Sequence, residues 1–284
     1  MTLNTVFIED ALVTMSRMKK EVDLVLTSPP YNSSRPSASD KHNRRYDVYK
    51  DSKSDTEYIK WTIKLFKAYH RILKANGVVL YNLSYSSDNP ALIHLVVADI
   101  IRNTPFTVAD TIVWKKPKAM PNNKSANRLT RITETVYVFC RKKELKTFKT
   151  NKKVVSLDKR TGQHNYENLF NFIEAPNNDY SNQLNKATFS SELAMKLLDI
   201  YAPGPFSVVF DSFMGMGTTA KAALRKNLHF IGSEISAQQV EQFEIYKEGL
   251  PNAEKRRYKI EKILNSLELD KVVQNKGATE KLTI

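Results

Sequence analysis

Apolar and polar positions along this chain fall into short apolar runs set between stretches of helical period. Residues 22–26, 78–83, 111–114, 135–140, 208–210 and 229–235 are short and rich in Val, Ile, Leu, Phe, Tyr and Thr, which predicts strands. Residues 57–73, 191–201 and 218–226 space their apolar side chains three and four positions apart, which predicts helices. Alternation of the two predicts an α/β fold, a mostly parallel sheet with helices on both faces. Residues 33–56 (SSRPSASDKHNRRYDVYKDSKSDT) are polar and basic without a period and read as a long binding loop or lid. Residues 145–185, rich in Lys and Asn with scattered aromatics, read as a small separate module, and 253–269 as a charged helix in the tail.

Charge changes this picture more than length does. The 284 residues suffice for one large domain with an insertion or for two ordinary domains. Lys plus Arg number 44 against 30 Asp plus Glu, a formal net charge of +14, which favours a polyanionic partner. The excess is concentrated, with 15 basic and 3 acidic residues between positions 115 and 160. The single Cys140 excludes an internal disulfide, and the N-terminal MTLNTVFIED has no basic-then-apolar signal pattern. No apolar run approaches the roughly 18 residues of a membrane helix. The expectation is a soluble, cytoplasmic protein without a membrane partner.

Two stretches carry candidate chemistry. In DLVLTSPPYN at 23–32 an apolar run breaks into Ser28, Pro29, Pro30 and Tyr31. The prolines fix φ, remove two backbone donors and bias the residues before them toward extended geometry, so the turn is stiff and its carbonyls point in set directions. In VVFDSFMGMGTTA at 208–220 a strand runs into a glycine turn and then a helix beginning near Thr218, the layout of a nucleotide-binding βα unit. Gly215 and Gly217 let the backbone approach a ligand closely. Glu234 follows Asp211 by 23 residues at the end of the next strand, where a carboxylate can accept both hydroxyls of a ribose. There is no third glycine and no Gly-Lys-Ser/Thr, so an adenosine ligand without phosphates fits better than a pyrophosphate. Taken alone, this stretch also reads as an ordinary glycine turn.

Together, a strand ending in Thr-Ser-Pro-Pro-Tyr, the segment Asp-Ser-Phe-Met-Gly-Met-Gly-Thr and an acidic residue one strand later resemble the S-adenosyl-L-methionine-dependent DNA amino-methyltransferases of bacteria and their phages. The resemblance spans about residues 1–245 apart from the basic insert, with motif order that of the permuted class, catalytic motif first and cofactor motif last. It implies the Rossmann-like methyltransferase fold, divided into a catalytic part at 1–140, a DNA target-recognition insert at 141–185, a cofactor-binding part at 186–250 and a helical tail at 251–284. It further implies S-adenosyl-L-methionine as cofactor, held by Asp10, Phe189, Asp211, Phe213, Gly215, Gly217, Thr218 and Glu234. Double-stranded DNA is the implied partner, met by Arg44 and Arg45 of the long loop and by Lys142, Lys143, Lys146, Lys149, Lys152 and Lys153. The resemblance also admits a cognate restriction endonuclease and a homodimer. One departure stands out: where such enzymes commonly read His-Pro-Ala-Thr-Phe-Pro, this chain has Asn185-Lys-Ala-Thr-Phe-Ser190.

The chemistry that the resemblance implies suits the residues. A nucleobase amino group is a poor nucleophile because its lone pair is delocalised into the ring. Acceptors aimed at its N–H bonds favour a more tetrahedral nitrogen. Ser28 Oγ and the Pro29 carbonyl are the expected acceptors, Pro30 stiffens the turn, and Tyr31 is the ring on which a flipped base stacks. Serine before Pro-Pro-Tyr is commoner among cytosine-N4 members of the family, which points to cytosine over adenine-N6. Methylation of RNA or of a protein amide, a non-catalytic DNA-binding relative and a different nucleotide-using enzyme are the rival readings. Cys140 has no preceding Pro and ends an apolar run, so it reads as a buried hydrophobe. Trp61 and Trp114 read as packing residues. The five histidines share no ligand spacing, and no metal site is expected.

Overall fold

The structure, a computed structural model, describes residues 1–33, 48–49, 51–85, 89–119, 122, 126–178 and 188–247, excepting the side chains of 244–247. Arg44, Arg45, most of the long polar loop and the predicted tail helix lie outside the described residues.

In chain order the elements are β1 (Thr5–Ile8), α1 (Ala11–Arg17), β2 (Val22–Thr27), α2 (Asp55–Ile72), β3 (Leu73–Leu83), α3 (Leu92–Asn103), β4 (Phe106–Lys115) and β5 (Thr133–Arg141), followed by β6 (Val154–Leu157), β7 (His164–Tyr166), β8 (Phe172–Glu174), α4 (Ser191–Tyr201), β9 (Val208–Asp211), α5 (Thr218–Arg225), β10 (His229–Glu234) and α6 (Ala237–Lys247). Eight strands form one sheet in the order β1-β10-β9-β2-β3-β5-β4-β8, and β6 with β7 forms a separate hairpin. Within the large sheet only β5 runs against its neighbours. Among the described residues no helix is long and apolar enough to cross a membrane.

Period-two alternation in the strands divides the core into two layers. On β2, Leu24 and Leu26 join the layer under α4 and α5, while Val25 joins the layer under α1, α2 and α3. The helices cover both faces as the pattern predicts. Phe66 of α2 stands at the centre of the second layer, with the rings of Tyr69, Tyr81, Phe106 and Phe139 between 4.9 and 5.6 Å from its own. The start of α2 is set by a capping box, in which Ser54 Oγ accepts from Glu57 N and Glu57 accepts from Ser54 N.

Several elements exceed the apolar pattern. β1 is only four residues long. Leu73–Gly77 of β3 and Phe106–Asp110 of β4 continue strands whose apolar halves alone stand out in sequence. The stretch 145–185 does not stand wholly apart from the sheet: β8 is its edge strand, parallel to β4, and Trp114 Nε1 donates to Ala175 O at 3.0 Å. The β6–β7 hairpin, whose strand residues are exposed, is the part that projects.

Phe66→Ala removes the ring on which four others pack, and is expected to destabilise the protein by about 3–5 kcal/mol in urea denaturation. A loss below about 1 kcal/mol would mean that the second layer does not depend on this ring.

Candidate functional site

The parallel strands β1, β2, β9 and β10 end along one edge of the sheet, and the candidate residues emerge from those ends. Thr27 closes β2 and Asp211 closes β9. Buried Asp211 accepts from Thr27 Oγ1 at 2.7 Å, from Thr219 Oγ1 at 2.6 Å and from Phe213 N at 3.0 Å. Strand β2, strand β9 and helix α5 are thus tied at one carboxyl group. The turn that follows needs left-handed backbone at Gly215 and Gly217, with φ of 51° and 76°. A Cβ on Gly217 would also run into the ring of Phe243. Glu234, at the end of β10, accepts from Gly215 N at 2.7 Å and Ser236 N at 2.9 Å, so its carboxyl is fixed against the turn.

The Ser-Pro-Pro-Tyr turn is held from several sides. Tyr58 of α2 donates to Pro30 O at 2.6 Å. Asp51, itself buried, accepts from Asn32 N and Ser33 N, and Asn32 exchanges hydrogen bonds with the backbone of Lys53. No hydrogen bond to Pro29 O appears among the described residues. Tyr31 Oη lies 2.8 Å from Ser28 Oγ and donates to Glu134 Oε2 at 3.0 Å. Asn82 Nδ2 reaches Tyr31 Oη at 2.7 Å and Glu134 Oε2 at 2.8 Å, and Lys116 Nζ pairs with Glu134 Oε1 at 2.5 Å.

Both motifs open onto one cavity of about 300 Å³. Asp10, Ser28, Pro30, Phe189, Asp211, Phe213, Gly215, Thr218 and Glu234 line it. Pro29, Tyr31 and Gly217 stand beside its lining rather than on it. Asp10 has a second duty, since its side chain caps α1 by accepting from Leu12 N at 2.7 Å. Ser190 caps α4 in the same way through Leu193 N, although the family's proline is absent there.

Sequence reasoning missed part of the wall. Trp61, read as packing, lines the cavity and stands 5.4 Å from the ring of Phe213. Tyr49, Lys53 and Gln239 line it too. Trp61 lies on the margin of the apolar stripe of α2, which could have marked it as facing something other than core. Trp114 is buried as read, and so is Cys140, whose thiol is pushed up by burial.

The predicted lysines are not brought together with the cavity. β5 is antiparallel, so it carries the chain from the site's edge at Thr133, opposite Lys115, to the other edge at Arg141, opposite Phe106. Lys142 and Lys143 follow there in a 3₁₀ turn, with Lys142 Nζ donating to Thr104 O. Thr147 bonds Asn76, and Asn151 bonds the backbone at the C-terminal end of α4, so Lys146, Lys149, Lys152 and Lys153 leave from that same far edge. The site's own edge instead carries Lys115, Lys116, Lys118, Arg128 and Arg131, on the β4–β5 connection and its flanks.

Residues 22–245 match the family described as DNA methylase. The Type II methyltransferase M.BglII of Bacillus subtilis is 28% identical over 239 residues, which cover 78% of this chain and 62% of that protein; the match thus spans less than two thirds of the relative's length. Among solved structures, PvuII DNA methyltransferase (cytosine-N4-specific) superposes with a TM-score of 0.65 at 20% identity, covering 92% of both chains. The M1.HpyAVI–SAM complex superposes with a TM-score of 0.55 at 22% identity, covering 85% of this chain and 97% of that one. At these identities the superpositions establish a shared α/β fold.

Burial raises the Asp211 carboxyl above its ordinary range, and the bonds from Thr219, Thr27 and Phe213 N only partly reverse this. An acid with a higher pKa in the folded state binds more protons there, so its contribution to stability falls as pH rises from the ordinary carboxylate range through the raised value. Asp211→Asn lacks this titration. The stability of wild type relative to the variant, from urea denaturation, is therefore expected to be greatest in acid and to shrink as pH rises. A wild-type advantage growing with pH would contradict the burial argument.

Proposed function

The chain belongs to the N6/N4 DNA methylase family, and from this premise we propose that it transfers a methyl group from S-adenosyl-L-methionine to the exocyclic amino group of a flipped base in double-stranded DNA, cytosine N4 in preference to adenine N6. The observation that carries this reading is the single cavity shared by Ser28 and Pro30 of the first motif and by Phe213, Gly215 and Glu234 of the second. A methyl donor and an amino acceptor can meet only where their two sites open into one another. Motif order, with residues 28–31 ahead of 211–218, supports the permuted class.

The residues present fit this cofactor. Glu234 offers acceptor oxygens in a position fixed by two backbone N–H groups, which suits the two hydroxyls of a ribose. Phe189, Phe213 and Trp61 supply flat apolar wall for an adenine. Asp10 lies on the same wall. The cofactor, when bound, supplies an electrophilic methyl group. The chain's part is to hold the acceptor: Ser28 Oγ and Pro29 O accept the two N–H bonds of the amino group, favouring a tetrahedral nitrogen with an available lone pair. Tyr31, fixed through its hydroxyl, offers its ring to the base. No covalent enzyme intermediate is needed, in keeping with the buried Cys140.

The preference for cytosine rests on Ser28. For the DNA backbone the favoured contacts are Lys118, Arg128 and Arg131, on the β4–β5 connection whose flanking residues Lys116 and Glu134 lead to Tyr31. Contact through Lys142–Lys153 requires DNA that also reaches the opposite edge of the sheet.

Transfer of labelled methyl from the cofactor to duplex DNA, RNA and protein tests the reading directly, with DNA the expected acceptor. Ser28→Ala is expected to abolish transfer while calorimetric affinity for the cofactor stays within about twofold. Glu234→Ala is expected to weaken cofactor binding by about 1–3 kcal/mol. Equal loss of cofactor affinity in both variants would overturn the division of roles. Neutralising Lys118, Arg128 and Arg131 together is expected to flatten the salt dependence of DNA binding by roughly 0.9 per lost phosphate contact. The same change at Lys142, Lys143 and Lys146 is expected to leave the slope unaltered, and the reverse result would move DNA to the far edge.

A further inference from the structure

The hydroxyl of Tyr31 has one proton and lies within hydrogen-bond distance of Glu134 Oε2 at 3.0 Å and Ser28 Oγ at 2.8 Å. A carboxylate oxygen only accepts, so the tyrosine proton goes to Glu134. The contact with Ser28 then requires the serine's own proton. Ser28 is left with lone pairs alone for the cavity that it lines.

Asn82 fixes the same direction. Its Nδ2 stands 2.7 Å from Tyr31 Oη and 2.8 Å from Glu134 Oε2, with Ser28 Oγ farther off at 3.4 Å. Two N–H bonds match the two nearer acceptors. Reversing the amide would set its carbonyl oxygen against the carboxylate, so Glu134 fixes that orientation as well. Lys116 holds the other oxygen of Glu134 at 2.5 Å. The side chains of Lys116 and Glu134 are 20% and 13% exposed and Asn82 is buried, so the chain of bonds is sheltered from competing water.

We propose that Glu134 is a positioning residue that makes Ser28 an obligate hydrogen-bond acceptor, through the ordered chain Lys116, Glu134, Tyr31, Ser28. The inference deepens the amino-methyltransferase reading and rests on it. An amino group presents N–H donors, and a hydroxyl free to rotate would turn a hydrogen toward them part of the time. Glu134 removes that orientation before substrate arrives, which is preorganisation in the sense of oriented dipoles that need no rearrangement during reaction. The controlling group lies 103 residues from Tyr31, on the antiparallel strand β5, outside both motifs.

Glu134→Gln keeps the size of the side chain while exchanging one acceptor oxygen for an N–H donor. Tyr31→Phe breaks the same chain at its middle and leaves the Lys116–Glu134 pair in place, so it serves if the first variant does not fold. Each is expected to lower kcat for DNA methylation by about tenfold or more, the scale of one hydrogen bond to a charged group. KM for DNA and calorimetric affinity for S-adenosyl-L-methionine should stay within about twofold. Because both act through one relay, the double variant should be no slower than the slower single variant, whereas independent effects would multiply. A kcat near wild type in Glu134→Gln, multiplying effects, or a matching loss of cofactor affinity overturns the inference. Wild type assayed alongside separates the two levels: no transfer to DNA by wild type sinks the underlying function, and active wild type with unaffected variants sinks this inference alone.

Discussion

The buried carboxyl of Asp211 is the constraint on which the site depends. It receives Thr27 Oγ1 from β2 and Thr219 Oγ1 from α5, joining positions 184 residues apart in sequence with one hydrogen bond. Thr27 is the residue before Ser28, and Asp211 begins the glycine turn that reaches Glu234. Whatever fixes these two strand ends against each other also fixes the distance between the two halves of the cavity. Burial opposes the charged form of Asp211, and its three donors offset part of that cost. A polar group so placed is expensive unless it is satisfied, which restricts the geometry of β2, β9 and α5 more tightly than apolar packing alone would.

Topology then decides what the basic charge can do. From Lys115 to Arg131 the chain has six basic residues and no acidic one, and from Arg141 to Arg160 nine basic and two acidic. In sequence the two groups form one block. The antiparallel β5 separates them by its whole length, leaving Lys115 and Lys116 at the edge where the cavity opens and Arg141, Lys142 and Lys143 at the opposite edge. The reversal also carries Glu134 to the site, since the start of β5 lies beside the ends of β3 and β4.

The parts of the fold legible in sequence were those where a single physical pattern dominates. Buried parallel strands such as β2 and β9 are nearly continuous apolar runs, and α4 and α5 carry clear apolar stripes. β8 was hidden because three residues give no period, and it exists through pairing with β4. Of the site, the motif residues were legible because prolines and glycines leave local marks. Trp61 and Glu134 were not, because a tryptophan on a helix margin or a lone carboxylate in a strand acquires its meaning only from what the fold sets opposite. The position of the lysines was hidden for the same reason in reverse: composition reports charge, while strand direction reports where the charge goes.

The most direct test of the whole account is the chemical identity of the product. Duplex DNA incubated with the protein and S-adenosyl-L-methionine, digested to nucleosides and resolved by mass spectrometry against standards, should yield a cytidine methylated at its amino nitrogen. An adenosine methylated at its amino nitrogen would overturn the choice of base while leaving the role of Ser28 intact. Methyl at the cytosine ring carbon, or DNA left unmodified, would contradict the account at its centre, because the acceptor pair proposed for Ser28 and Pro29 is suited to the N–H bonds of an amino group and supplies no nucleophile for the ring.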